Sequence, residues 1–132
     1  MTVFNSNNIG RVFSWKDISN VHKVRNGIFQ KKGKLVSLLT DFGEINACYP
    51  DFTGETKDTI FYTGAGRRGD QKRDVYHRSL HYAIETAVEI PLFCKLKVNQ
   101  WKFMGYWRVV DAEYVFEAKN KRNIWSFVLK RV

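Results

Sequence analysis

One stretch of this chain, and only one of any length, repeats apolar and small residues at helical spacing. Val75, Tyr76, Ser79, Leu80, Ala83, Ile84, Ala87 and Val88 recur at intervals that place them on a single stripe. Asp74 stands where an N-cap belongs, and Pro91 lies beyond the far end, where a helix has already stopped. The spacing predicts a helix over 75–88. Such a stripe must be laid against something, and the rest of the chain offers strands. Segments 35–39, 59–63, 92–98, 103–110 and 123–129 are rich in apolar, β-branched and aromatic residues. Segment 11–13 reads as a short first strand and 45–49 as an extension of the sheet. Ser14 can cap a short helix over 15–18. Gly105 inside a strand signals a bulge or a close approach. The expected architecture is α+β, a curved and mostly antiparallel sheet or small β-barrel with one main helix packed on it.

At 132 residues, 44% of them hydrophobic, the chain is expected to form one domain over 1–132 rather than a disordered segment. A formal charge of +9 on so short a chain favours an acidic partner, nucleic acid first and an anionic membrane surface second. No apolar run approaches the roughly 18 residues of a membrane span, so no membrane insertion is expected. Met1-Thr2-Val3-Phe4 does not open a signal peptide. Cys48 and Cys94 lie in apolar contexts and read as buried thiols, which points to a reducing cytoplasm.

The 59–63 strand leads directly into Gly64-Ala65-Gly66-Arg67-Arg68-Gly69-Asp70-Gln71-Lys72-Arg73. Glycines let backbone approach a partner closely, and cations beside exposed amides suit phosphate. The plainer alternative is a solvated hairpin loop whose arginines aid solubility.

Chemistry of other kinds has little to stand on. The three histidines are His22, His77 and His81. His77 and His81 are four apart on the predicted helix, but no His-Glu-x-x-His pattern accompanies them, so solvated or phosphate-facing histidines are expected rather than a zinc site. No nucleophile has a placed base, the Gly64-Ala65-Gly66 run is not a dinucleotide fingerprint, and neither metal nor cofactor is expected. Asp111 with Glu117-Ala118-Lys119 only superficially matches a metal-nuclease pattern. Binding is better supported. Tyr49-Pro50-Asp51 forms a turn and Tyr62 ends a strand a short loop later. Two tyrosines at adjacent strand ends can face each other across a base-sized gap, and a nearby carboxylate can accept from an exocyclic amine. Stacking is worth roughly 1–3 kcal/mol per base, against a few kcal/mol to unstack one, so a two-sided sandwich can offset eversion. The alternative is that both rings are ordinary sheet aromatics.

Several motifs together resemble the SRA (SET- and RING-associated, or YDG) domain family. Gly10-Arg11-Val12-Phe13 is similar to its opening Gly-x-x-Phe, and Val21-His22-Lys23 with Gly27-Ile28 to its Val-His-Arg…Gly-Ile segment. Tyr62-Thr63-Gly64-Ala65-Gly66 resembles its most characteristic motif, and Gly69-Asp70-Gln71 the version in bacterial modification-dependent restriction systems. Gly105-Tyr106-Trp107-Arg108-Val109 and Trp125-Ser126-Phe127-Val128-Leu129-Lys130-Arg131 are similar to its later strands.

The resemblance implies a PUA-like curved barrel that flips a modified cytosine, 5-methyl or 5-hydroxymethyl, out of double-stranded DNA into a pocket. Tyr62 matches the second sandwiching tyrosine; Tyr49 and Asp51 match the first tyrosine and the pocket Asp. Asn46, Ala47 and Cys48, with Thr63, complete the pocket. His22 and the loop Lys23, Arg25 and Asn26 correspond to a finger entering the duplex, with Arg25 or Asn26 at its tip. Gly64, Gly66, Arg67, Arg68, Gln71, Lys72 and Arg73 are expected along the DNA backbone. The chain departs from the family pattern at Asn46-Ala47-Cys48, where a small-Gly-Gly run is usual, and at His77-Arg78-Ser79-Leu80, where Asn-x-Ala-Leu is usual. A reader with a fused or associated nuclease module is implied, of open oligomeric state. RNA or another DNA modification such as a phosphorothioate, or a small metal nuclease, are the other expectations.

Overall fold

A computed structural model describes residues 3–44 and 51–132. The strands are β1 (Val12–Phe13), β2 (Ile28–Lys31), β3 (Lys34–Thr40), β4 (Phe52–Thr53), β5 (Thr59–Thr63), β6 (Ile90–Lys97), β7 (Gln100–Glu117) and β8 (Arg122–Arg131). The helices are α1 (Trp15–Ile18) and α2 (Val75–Thr86). One sheet runs in the order β2-β3-β6-β7-β8-β5-β4, with β1 paired to β7. The expected strand extension over 45–49 lies outside the described residues.

All pairings are antiparallel except β3 with β6, where Leu38 lies opposite Leu92 and Thr40 opposite Cys94. Parallel neighbours cannot be joined by a hairpin, so the chain must travel out and return. Here the crossover carries β4, β5, the glycine loop and α2, so Asp51, Tyr62 and the glycine loop are built into that one long connection, while His22, Lys23, Arg25 and Asn26 precede β2.

The predicted helix forms where its stripe falls. Asp74 accepts from the backbone N–H groups of Tyr76 and His77, and Leu80 and Ala83 are buried against the sheet. The helix stops at Thr86 rather than at residue 88, because Ala87 adopts a left-handed φ of 55° and closes the last turn onto Ala83. Trp107, Phe127, Leu38 and Leu92 fill the core beneath it, each fully buried. A side chain of that size contributes about 1.5–3 kcal/mol on burial. A second cluster, Phe4, Ile18, Leu39, Phe93, Trp101 and Phe103, fixes the N-terminal segment. Gly105 lies between these two clusters on β7 with φ +89°, beside a register shift in the β6 pairing, and a Cβ there would meet Ile9 at 3.2 Å. Among the described residues no helix is long and apolar enough to cross a membrane.

Candidate nucleic-acid interface

The two ends of the sheet curl toward each other. Tyr62 on β5 is the tie: its hydroxyl lies 2.8 Å from Leu39 O on β3 and 3.2 Å from Gly27 O before β2. Around this tie lies a cavity of about 400 Å³. It is lined by 25–28 and 39–41 on one side, by Asp51 and 62–67 on the other, and by Lys95 and Trp101. The volume falls within the roughly 300–1,000 Å³ of small-ligand sites.

Asp51 is the polar centre of this cavity and is only 5% exposed. Thr40 donates its hydroxyl to Oδ2 at 2.6 Å and Thr63 donates its backbone N–H to Oδ1 at 2.6 Å. The Thr40 oxygen in turn accepts the Phe42 N–H, which fixes the direction of its own proton. Burial lifts the Asp51 carboxyl from its ordinary 3.8 to about 7, against the pull of the Thr40 and Thr63 donors, and the charge of Asp41 adds to the rise. Each carboxyl oxygen has capacity for a second donor, so a ligand N–H could be accepted here.

The glycine loop is held by side chains behind it. Gln71 donates to Gly64 O at 2.7 Å and Gly66 O at 3.2 Å, and accepts the Trp125 N–H at 2.9 Å. His77 Nε2 accepts the Ala65 N–H at 2.9 Å, which puts the ring proton on Nδ1, facing Lys72 O. Arg122, 2% exposed, donates to Gly66 O at 2.6 Å. A Cβ on Gly64 would sit 2.6 Å from His77 Nε2, so only glycine fits. What remains outward is Arg67, Arg68, Lys72 and Arg73, all exposed.

The loop before β2 keeps Lys23, Arg25 and Asn26 exposed, and Arg25 lies 4.3 Å over the Trp15 ring while also lining the cavity. Asn26 is committed locally, its side chain accepting the Ile28 N–H.

Four expectations are corrected by this geometry. His22 is not a finger residue. It is fully buried, bonded to Ser37 Oγ at 2.7 Å and to Asn26 O at 2.6 Å, and burial lowers its pKa to about 4. Gln71 is 3% exposed and organises the loop instead of facing DNA. His77 is fully buried and His81 lies edge-on to Trp125 and Phe127, so neither is a solvated, phosphate-facing histidine. Tyr62 lines the cavity, but its ring belongs to the core and is 3% exposed, a fixed wall rather than a free-standing plate. Asn46, Ala47, Cys48 and Tyr49 lie outside the described residues. Asp111 and Glu117 do not converge on a site: Glu117 is 3.6 Å from Arg122 and accepts from Asn120, while Asp111 caps the Ala112 N–H. Among the described residues no group of three or more potential metal ligands forms.

Sequence reasoning missed Thr40, Trp101, Lys95 and Arg122. Thr40 ends an apolar strand and Arg122 sits in a basic turn, so neither local pattern tells of a partner more than ten residues away.

Comparison with known proteins bears on the family and the fold. The family described as "ScoMcrA-like, SRA domain" matches residues 9–132. Nothing matches among curated proteins. Among solved structures, the SUVH5 SRA complex with hemi-methylated CG DNA aligns with a TM-score of 0.77 at 19% identity, covering 100% of this chain and 93% of that one. The SUVH5 SRA complex with fully hydroxymethylated CG DNA aligns at 0.72 and 17%, covering 100% and 95%. KRYPTONITE in complex with mCHH DNA, an H3(1-15) peptide and SAH aligns at 0.73 and 18%, covering 95% of this chain and 32% of that one. At these identities the likeness is one of fold.

Proposed function

Because the chain belongs to the ScoMcrA-like SRA domain family, we propose that it binds double-stranded DNA and receives an everted modified cytosine, 5-methyl or 5-hydroxymethyl, in the cavity around Asp51. The observation that carries this is the Asp51 carboxyl itself. It is buried and oriented by two donors in a cavity of base-receiving size, with acceptor capacity left for an exocyclic amine. Complexes of the SUVH5 SRA domain with methylated and with hydroxymethylated DNA support the choice of ligand.

Tyr62 and Thr63 form one wall. Tyr49 is proposed as the facing plate, with Asn46, Ala47 and Cys48 beside it. Lys23 and Arg25 are proposed to enter or flank the duplex, and Arg67, Arg68, Lys72 and Arg73 to follow its phosphates. Residues 1–132 act as one reader unit without a catalytic step of their own, in a cytoplasmic modification-dependent restriction system whose nuclease is fused or associated. Titrating duplexes carrying C, 5-methyl-C or 5-hydroxymethyl-C at one fixed salt tests the reading. Tighter binding to a modified duplex, lost in Asp51→Ala, is expected; equal affinity for all three overturns it.

A further inference from the structure

The turn between β7 and β8 is absorbed neither by the cavity nor by the core. It carries Lys119 and Lys121, both exposed, between the last residue of β7 and the first of β8. Its position is set by side chains that reach the cavity rim. Arg122, the residue after Lys121, donates to Gly66 O at 2.6 Å, and Gly66 lines the cavity. Asp70 accepts from both nitrogens of Asn123, and the Gln71 N–H donates to Asn123 O at 2.9 Å. The turn and the loop 66–73 are thus fastened side by side. The nearby acids are committed within the structure, Glu117 to Asn120 and Arg122, Asp70 to Asn123. These two fastened elements carry six exposed cations: Arg67, Arg68, Lys72, Arg73, Lys119 and Lys121.

We propose that the β7–β8 turn is a second phosphate-contacting element, in which Lys119 and Lys121 extend the track of the glycine loop along the DNA backbone beyond the everted base. The chemistry is that of a polyanion with regularly spaced single charges, met by cations on a rigid hairpin. The inference rests on the DNA-binding reading above but not on modified-base recognition. The turn lengthens the footprint of the glycine loop without adding sequence preference.

The test is fluorescence anisotropy with an unmodified duplex and the same duplex carrying 5-methyl-C, each at several salt concentrations. The proteins are the unaltered chain, Lys119→Ala/Lys121→Ala, and Lys31→Ala/Lys32→Ala at the β2–β3 turn as a control of equal charge. Each lost phosphate contact lowers the slope of log K against log salt by about 0.9. The β7–β8 pair is therefore expected to lower the slope by roughly 1–2 on both duplexes, with the preference for the modified duplex unchanged and the control slope close to that of the unaltered chain. A slope equal to that of the unaltered chain, or to a fall of the same size in the control, overturns the proposal. If the unaltered chain shows no preference for the modified duplex while the slope still falls, the phosphate track stands and base reading fails. A preference with an unmoved slope is the reverse case.

Discussion

Thr63 donates its backbone N–H to Asp51 Oδ1 at 2.6 Å, joining the last residue of β5 to the residue just before β4. The first half of the glycine motif is thereby coupled to the only buried acid lining the cavity among the described residues. Burial of the Asp51 carboxyl also makes the cavity sensitive to protons, against the pull of this hydrogen bond.

Asp51 has a folded-state pKa near 7 against an ordinary 3.8, with burial the largest cause. The folded state therefore holds this proton more tightly than the unfolded chain does. Its contribution to stability is fully present below about pH 4 and is lost as pH rises through 7, by up to about 1.4 kcal/mol per pH unit in between. Asp51→Asn should remove that slope. Urea denaturation at pH 4.5 and 7.5 is expected to show the variant gaining on the unaltered chain at the higher pH. A gap independent of pH would place the titration elsewhere.

His22 runs in the opposite sense. Burial depresses its pKa from 6.5 to about 4, so the folded state excludes a proton that the unfolded chain binds. That contribution is present above pH 6.5 and is lost as pH falls toward 4. Replacing His22 with Ala strips partners from Ser37 and Asn26 and leaves a cavity, at a cost of about 2–4 kcal/mol near neutral pH that shrinks toward pH 4.5. Chemical denaturation across that range checks both size and trend. Because DNA affinity at neutral pH should be little changed once the variant is folded, a specific loss of binding would restore His22 to the interface.

What was legible in the sequence follows from range. Helix α2 announced itself through its own stripe and cap, and the strands 59–63 and 123–129 through side-chain type, all local signals. The parallel pairing of β3 with β6 was not legible, because nothing in Leu38 or Leu92 encodes which neighbour arrives across the long crossover over 41–89. The histidines show the same limit. His22 reads as part of a finger loop and His77 as a solvated or phosphate-facing histidine, and only the fold brings Ser37 to one and the Ala65 amide to the other. Asp51 and Tyr62 were singled out in the sequence and both line the cavity, whereas Thr40, which sets the carboxyl's orientation, was not singled out. Its strand neighbours Leu38 and Leu39 made it look like the end of a core strand.

Tyr62→Phe separates the ring from the tie. The hydroxyl is the link from β5 to Leu39 O and Gly27 O, and removing it leaves carbonyls short of a donor inside the protein. A loss of about 0.5–1.5 kcal/mol in stability is expected, while the ring that walls the cavity stays in place. Modified-duplex binding by Tyr62→Phe should therefore remain within a few-fold of the unaltered chain, and Tyr62→Ala should lose it. Equal losses in both, measured by anisotropy at fixed salt, would mean that the tie and not the ring shapes the cavity.

Gly64→Ala tests the loop behind the rim. The added Cβ would lie 2.6 Å from His77 Nε2 and 2.8 Å from Gln71 Oε1, side chains that are themselves buried and bonded to Ala65, Lys72, Gly66 and Trp125. Neither can retreat without breaking those bonds, so overpacking of about 1–3 kcal/mol is expected, with the strain released by displacing the loop. Displacement moves Gly66, a cavity wall, and the arginines after it, so thermal stability and affinity for duplex DNA should fall together. Gly69→Ala makes the contrast: no atom lies within 4 Å of a Cβ there, and only its φ of +67° resists the change. About 1 kcal/mol of backbone strain, with the cavity undisturbed, should lower stability slightly and leave the preference for a modified base intact. If Gly64→Ala melts and binds like the unaltered chain, the clasp of His77 and Gln71 does not set the loop's position.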